Sequence, residues 1–131
     1  NAGLRGRMSV LQENPTVIAD IGHNAAGIQE VLAHIAQLSY RRLHIVWGMV
    51  EDKDIQKALA MLPKSASYYF VKPDLPRGLS LELLVPAANT AGLAGEGWPS
   101  VQAGYAAALH SAMPDDLIYV GGSTFVVAEV I

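Results

Sequence analysis

Apolar residues in this chain fall into short unbroken runs, separated by longer stretches in which they recur at helical spacing. Thr16-Val17-Ile18-Ala19-Asp20, Leu43-His44-Ile45-Val46-Trp47-Gly48, Ser67-Tyr68-Tyr69-Phe70-Val71 and Leu117-Ile118-Tyr119-Val120 are rich in β-branched and aromatic residues, as buried strands require. Met8-Ser9-Val10-Leu11-Gln12 is a further short candidate strand, and Pro15 fixes a turn after it. Ile28, Val31, Leu32, Ile35 and Leu38 share one face of a helix of about three to four turns, ended by Arg41-Arg42. Ile55, Ala58, Leu59 and Leu62 mark a second helix, with Asp52 or Asp54 as cap and Pro63 as its close. Ser80 opens a third, carrying Leu81, Leu84, Val85 and Ala88, which Pro86 is expected to kink or shorten. Gly92 to Gly97 reads as a loop. Ser100 caps a fourth helix with Val101, Tyr105, Ala108 and Ala112 on one face. Gly121-Gly122-Ser123 leads into a last helix expected to run to Ile131.

Strand and helix thus alternate, and the strands are continuous apolar runs. Both features predict an α/β fold with a mostly parallel sheet covered by helices on both faces. The length, 131 residues with 51% hydrophobic, suits a single domain over residues 1–131 with one real core. Only 16% of residues are charged, which excludes an intrinsically disordered chain. Nine Lys and Arg stand against twelve Asp and Glu, with no basic run, so no nucleic-acid footprint is expected. The absence of cysteine removes disulfides, thiolate metal sites and thiol nucleophiles together. No apolar run reaches the ~18 residues needed to span a bilayer, and no signal peptide is visible. The expectation is a cytoplasmic protein that does not engage membranes.

In open parallel sheets, ligands bind beyond the carboxyl ends of the strands. Three such ends carry polar residues: Asp20 to Asn24, Gly48 to Asp54, and Gly121 to Thr124. A carboxylate at Asp20 can accept both hydrogen bonds of a ribose diol, and the helix start at His23-Asn24 offers N–H groups to an anion. The plainer reading is a helix cap with a solvent-facing histidine. Gly121-Gly122-Ser123-Thr124 allows close backbone approach and offers two hydroxyls, or else is a serine cap after a tight turn. Glu51-Asp52-Lys53-Asp54 suits a solvated helix start, except that Lys53 opposes the helix dipole. His34 and His110 are expected at the surface, His44 as a satisfied core or edge histidine, and no histidine pair has zinc-ligand spacing. The chain has neither G-x-x-x-x-G-K-[ST] nor G-x-G-x-x-G after its first strand, so it has no P-loop and a self-sufficient dinucleotide site is not supported.

Five segments in order carry a family likeness: Gly6-Arg7, Asp20-Ile21-Gly22-His23-Asn24, Gly48-Met49-Val50-Glu51-Asp52-Lys53-Asp54, Pro76-Arg77-Gly78-Leu79, and Asp116-Leu117-Ile118-Tyr119-Val120-Gly121-Gly122-Ser123. Over nearly the whole chain they resemble the C-terminal domain of folylpolyglutamate synthase/dihydrofolate synthase, in the Mur ligase superfamily. The resemblance implies a Rossmann-like fold and half of an ATP- and magnesium-dependent ligase. That ligase joins glutamate to folate or dihydropteroate through an acyl phosphate. Its N-terminal P-loop ATPase domain, on the same polypeptide, would hold the phosphate loop, the magnesium ligands and most of the folate pocket. This chain alone is then expected to be inactive and to bind no cofactor tightly.

By the same resemblance, Arg7 matches the arginine that reaches the ATP phosphates. Asp20 and His23 match members of the D-G-A-H-N-P motif, Asp20 toward the nucleotide ribose and His23 between nucleotide and incoming glutamate, with Asn24 beside them. Ser123 matches a serine implicated in holding glutamate. Lys53 falls in the D-K-D stretch and has the least claim on the substrate. The chain departs from the motif at Ile21, Gly22 and Ala25, which stand where the family has Gly, Ala and Pro. A cell-wall Mur ligase domain and a non-catalytic nucleotide-sensing or interaction module are the alternatives. Mur ligases usually have D-D-Y-A-H-H-P or similar at Asp20 and lack the Gly-Gly-Ser-Thr-Phe pattern. A P-loop domain encoded upstream of Asn1 would separate the ligase from the module.

Overall fold

The computed structural model describes residues 8–20, 25–51 and 54–131. Its elements follow in the order β1 (Met8–Gln12), β2 (Thr16–Asp20), α1 (Ala25–Ala36), β3 (Leu43–Trp47), α2 (Ile55–Met61), β4 (Ser67–Phe70), α3 (Leu81–Thr90), β5 (Gly95–Gly97), α4 (Val101–Ser111), β6 (Leu117–Gly121) and α5 (Thr124–Ala128). The strands form one sheet in the order β1-β2-β6-β3-β4-β5. All pairs are parallel except β1 with β2, as the alternating pattern predicts.

Each central strand divides its side chains between two cores with a period of two, as the pleat demands. Ile18, Ile45, Trp47, Tyr68, Phe70 and Tyr119 pack on one face with α1, α2 and α3. Val17, Ala19, Val46, Tyr69, Val71, Ile118 and Val120 pack on the other with α4 and α5. Each fully buried aliphatic or aromatic side chain contributes about 1.5–3 kcal/mol, so the strands hold the two layers together. Trp47 and Tyr119 meet edge to face at 6.1 Å, and Tyr68 stacks on Phe70 at 5.5 Å.

Three expectations are corrected. The stretch Gly92 to Gly97 is not all loop, because Gly95–Gly97 is the edge strand β5. A Cβ at Gly95 would lie 2.3 Å from the Tyr68 carbonyl oxygen, so only glycine lets this segment close on the free edge of β4. The third helix is not shortened by Pro86 and continues to Thr90. Pro86 costs only the hydrogen bond to the carbonyl of Glu82, which is exposed and open to water, while Leu84 and Ala88 are anchored in the core. The first and last helices are shorter than their apolar pattern. α1 ends at Ala36, leaving Leu38 outside it and partly exposed, and α5 ends at Ala128 rather than Ile131.

The amino ends of the strands are tied by a buried polar chain. Tyr69 Oη lies 2.9 Å from His44 Nδ1, and His44 Nε2 lies 2.8 Å from Asp116 Oδ2. The Arg41 guanidinium donates to both Asp116 oxygens at 2.9 and 3.0 Å, and the Met113 amide adds a third donor. His44 is therefore the satisfied core histidine expected from its strand position.

Burial would raise the Asp116 pKa, but the Met113 amide, His44 and Arg41 outweigh it and hold the carboxyl at about 2, below its ordinary 3.8. A depressed folded-state pKa adds stability above about 3.8 that is lost as pH falls toward 2. Thermal melts should therefore show the wild type losing stability between pH 4 and pH 2. Asp116→Ala should cost about 2–4 kcal/mol at neutral pH, because it strands buried donors, and it should show a flatter acid limb.

Candidate active site

The carboxyl ends of the parallel strands gather four connections on one rim. β2 ends at Asp20, β6 leads through Gly122 to Ser123, β3 leads through Gly48 and Met49 to Glu51, and β4 leads into residues 71–80. β2 and β6 run side by side with Ala19 opposite Val120. Asp20 and the Gly121–Ser123 turn stand at strand ends, as predicted, and the sheet order makes those two strands neighbours. Both Asp20 and Ser123 are buried. Arg7, His23, Asn24 and Lys53, the other predicted site residues, lie outside the described residues.

The turn after β6 is held by glycine. Gly122 has φ +98° and Gly48 lies beneath it, so a Cβ at Gly122 would come 2.3 Å from the Gly48 carbonyl oxygen and 3.0 Å from the Trp47 ring. A Cβ at Gly48 would come 2.6 Å from the Val71 carbonyl oxygen and 2.9 Å from Val126. Two missing side chains thus let the exits of β3, β4 and β6 converge. Ser123 then caps α5, its Oγ accepting from the Phe125 amide at 3.0 Å. The serine cap foreseen from the sequence is real, and the hydroxyl keeps its own proton to donate to a ligand.

The 72–79 loop is bound down along the same rim. Val50 and Gly78 form an antiparallel bridge. The Glu51 amide donates to the Arg77 carbonyl at 2.8 Å, and the Leu79 amide donates to the Met49 carbonyl at 2.8 Å. Arg77 lies over the Phe125 ring, 5.3 Å from its centroid. Sequence reasoning noted Pro76-Arg77-Gly78-Leu79 as a motif but gave Arg77 no place in the site. The missing signal was Phe125, 48 residues later, which only the fold brings beneath it.

Two hollows lie at different ends of the sheet. One of about 300 Å³ lies beyond β4, bounded by Lys72, Asp74, Ser100, Gln102 and Glu129. Another, of about 580 Å³, opens at the opposite, amino end of the sheet between Asn14, Thr16, Tyr40, Arg41 and Asp115. The amino-end hollow is the solvent side of the Arg41–Asp116 pair and is remote from the rim. Among the described residues, no group of three His, Asp or Glu side chains could hold a metal ion. Nor is any helix among them long and apolar enough to cross a membrane.

Comparisons with known proteins agree with this geometry. The family model for the Mur ligase, glutamate ligase domain, matches residues 6–124. A probable bifunctional folylpolyglutamate synthase/dihydropteroate synthase of Haloferax volcanii is 36% identical over 98% of this chain and 16% of its own length. FolC of Escherichia coli, solved in complex with DHPP and ADP, is 32% identical with a TM-score of 0.86, over 99% of this chain and 31% of that one. A bifunctional folylpolyglutamate synthase/dihydrofolate synthase solved with Mn, AMPPNP and L-glutamate bound superposes with a TM-score of 0.87 at 30% identity, over 98% of this chain and 31% of that one. This chain spans less than a third of the length of each of these relatives.

Gly122→Ala should destabilise the domain by about 2–3 kcal/mol, since it combines a left-handed φ with a clash against backbone. Urea unfolding of the variant against the wild type checks this.

Proposed function

We propose, from the premise that the chain belongs to the Mur ligase glutamate ligase domain family, that it is the C-terminal domain, residues 1–131, of an ATP-dependent ligase adding glutamate to folate or dihydropteroate. The observation that carries the reading is the family match over residues 6–124 together with a carboxyl rim on which Asp20 and Ser123 end adjacent strands. Relatives solved with ADP, AMPPNP, DHPP and L-glutamate support the substrate classes. The complete enzyme would work in the cytoplasm, with this rim facing the cleft against an N-terminal P-loop ATPase domain of the same polypeptide.

The reaction runs through an acyl phosphate. The pterin-linked carboxylate attacks the γ-phosphorus of ATP, releasing ADP. The glutamate amine then attacks the acyl carbon, expels phosphate and loses a proton, leaving an amide. Negative charge crowds onto the phosphates throughout. Arg7 is permanently charged and can fork onto phosphate oxygens, stabilising charge as it develops. Asp20 and Asn24 would position the nucleotide, and His23 would stand between nucleotide and glutamate. Ser123 would donate its hydroxyl to glutamate, with Lys53 a secondary cation. Closing this domain over its partner excludes water from the acyl phosphate, which otherwise hydrolyses. Magnesium would accompany the nucleotide and screen its phosphates. The described residues gather no set that fits it, and its ligands would come from the N-terminal domain.

Three measurements test the reading. In the full-length enzyme, glutamate- and dihydropteroate-dependent ADP release should be present, and muropeptide-dependent release absent. Arg7→Ala should cut kcat about 100-fold or more while leaving the fold intact. Calorimetry on residues 1–131 alone should show no micromolar ATP binding, because the phosphate loop would lie in the other domain.

A further inference from the structure

We infer that Trp47 is a positioning residue for the amino-acid substrate: its ring sets the seat of the Gly122–Ser123 turn, and with it the point from which the Ser123 hydroxyl meets glutamate. The inference rests on the ligase reading above and names the buried support of that site. Three observations carry it.

The first is place. Trp47 ends β3 and lies opposite Gly121 in the ladder with β6. Its ring lies against the turn, so that a Cβ on Gly122 would come 3.0 Å from two ring carbons. Gly48, the next residue, fills the rest of that space with its carbonyl oxygen and donates its amide to the Gly121 carbonyl at 3.4 Å. Val126 belongs to the core on the opposite face of the sheet and stands 2.9 Å from the place of a Gly48 Cβ. The turn is thus held between a ring on one face and a valine-backed glycine on the other.

The second is rigidity. Trp47 and Tyr119 are both 0% exposed and meet edge to face at 6.1 Å and 64°. Tyr119 Oη would lie 2.6 Å from a Cβ on Gly121. Two rings therefore underlie two consecutive glycines, and in a close-packed interior neither shifts without moving the other. Ser123 follows directly, already committed as the cap of α5, with its Oγ accepting from the Phe125 amide at 3.0 Å. The height of the turn therefore decides where that hydroxyl stands.

The third is chemistry. Trp47 Nε1 is buried and has no hydrogen-bond partner. An unpaired buried donor is destabilising, and a phenylalanine would bury an aromatic ring without that penalty. The indole is here for its breadth, not for its N–H. Being wholly buried, it does not touch substrate and acts through the turn.

The test uses the full-length enzyme and the split between kinetic constants. Trp47→Phe should raise the KM for glutamate about 3- to 10-fold, the loss expected when one hydrogen bond is misplaced. The KM for ATP should stay within about twofold. A general loss of stability lowers the amount of folded enzyme, hence the apparent kcat, and leaves both KM values alone. Ile35→Val, a core truncation in the last turn of α1, should do only that. Site-specific 2-naphthylalanine in place of Trp47 restores the breadth without the N–H, and should return the glutamate KM to within about twofold of wild type. An unchanged glutamate KM in Trp47→Phe, an equal rise in both KM values, or no rescue by naphthylalanine overturns the inference. If Trp47→Phe does not fold, Val126→Ala carries the test, because it loosens Gly48 from the other face. A rise of at least about twofold in glutamate KM then supports the inference, and no rise overturns it. Absence of glutamate-dependent ADP release in the wild type would fell the ligase reading and this inference together. Presence of that release with an unmoved glutamate KM in the variants would fell this inference alone.

Discussion

Close backbone approach at Gly48 and Gly122 is the constraint on which the rim depends. The Gly48 carbonyl oxygen fills the space a Cβ on Gly122 would take, and the Val71 carbonyl oxygen fills the space of one on Gly48. Parallel strands sit about 4.8 Å apart, and side chains at their exits would normally push the following loops outward. Removing two Cβ atoms in adjacent strands lets the exits of β3, β4 and β6 fold in on one another. Ser123 can then cap α5 beside Phe125, and Arg77 can reach across to it. Local backbone geometry thus decides which side chains become neighbours, and the chemistry follows from that.

The two ends of the sheet are built on different principles. At the amino end, Asp116 is desolvated and repaid by Arg41, His44 and the Met113 amide. That network runs on through His44 to Tyr69 and serves the fold. At the carboxyl end, polar groups sit on loops that the sheet holds rigidly from below, an arrangement suited to ligands that arrive with their own charge. A hollow of about 580 Å³ lies at the structural end and one of about 300 Å³ beside the chemical end. Size alone is therefore a poor guide here.

Much of this organisation is legible in the chain. The strands at Thr16–Asp20, Leu43–Trp47, Ser67–Phe70 and Leu117–Gly121 stand out because strands buried on both faces must be apolar throughout. Asp54, Ser100 and Ser123 stand out as caps, since each accepts from an amide two or three residues on, a purely local interaction. β5 does not stand out, because Gly-Glu-Gly has no strand propensity and becomes a strand only by satisfying the open edge of β4. The helix through Pro86 misleads for a similar reason, since its anchors at Leu84 and Ala88 outweigh one missing hydrogen bond. In the site, Asp20 and Ser123 are readable because strand ends are readable. Arg77 with Phe125 is not, since nothing local links residues that far apart.

The sequence by itself determined the alternation of buried strands and amphipathic helices, the parallel sheet that follows, and the edge of that sheet where polar chemistry collects. Short-range periodicity and capping suffice for those, because they depend on neighbours a few residues away. Only the tertiary structure decided which loops meet at the rim, that a glycine-rich stretch completes the sheet, and which partners satisfy His44 and Asp116. Those outcomes depend on contacts between residues 25 to 75 positions apart. Such contacts exist only once the strands have paired and the missing side chains at Gly48, Gly95 and Gly122 have let backbone meet backbone.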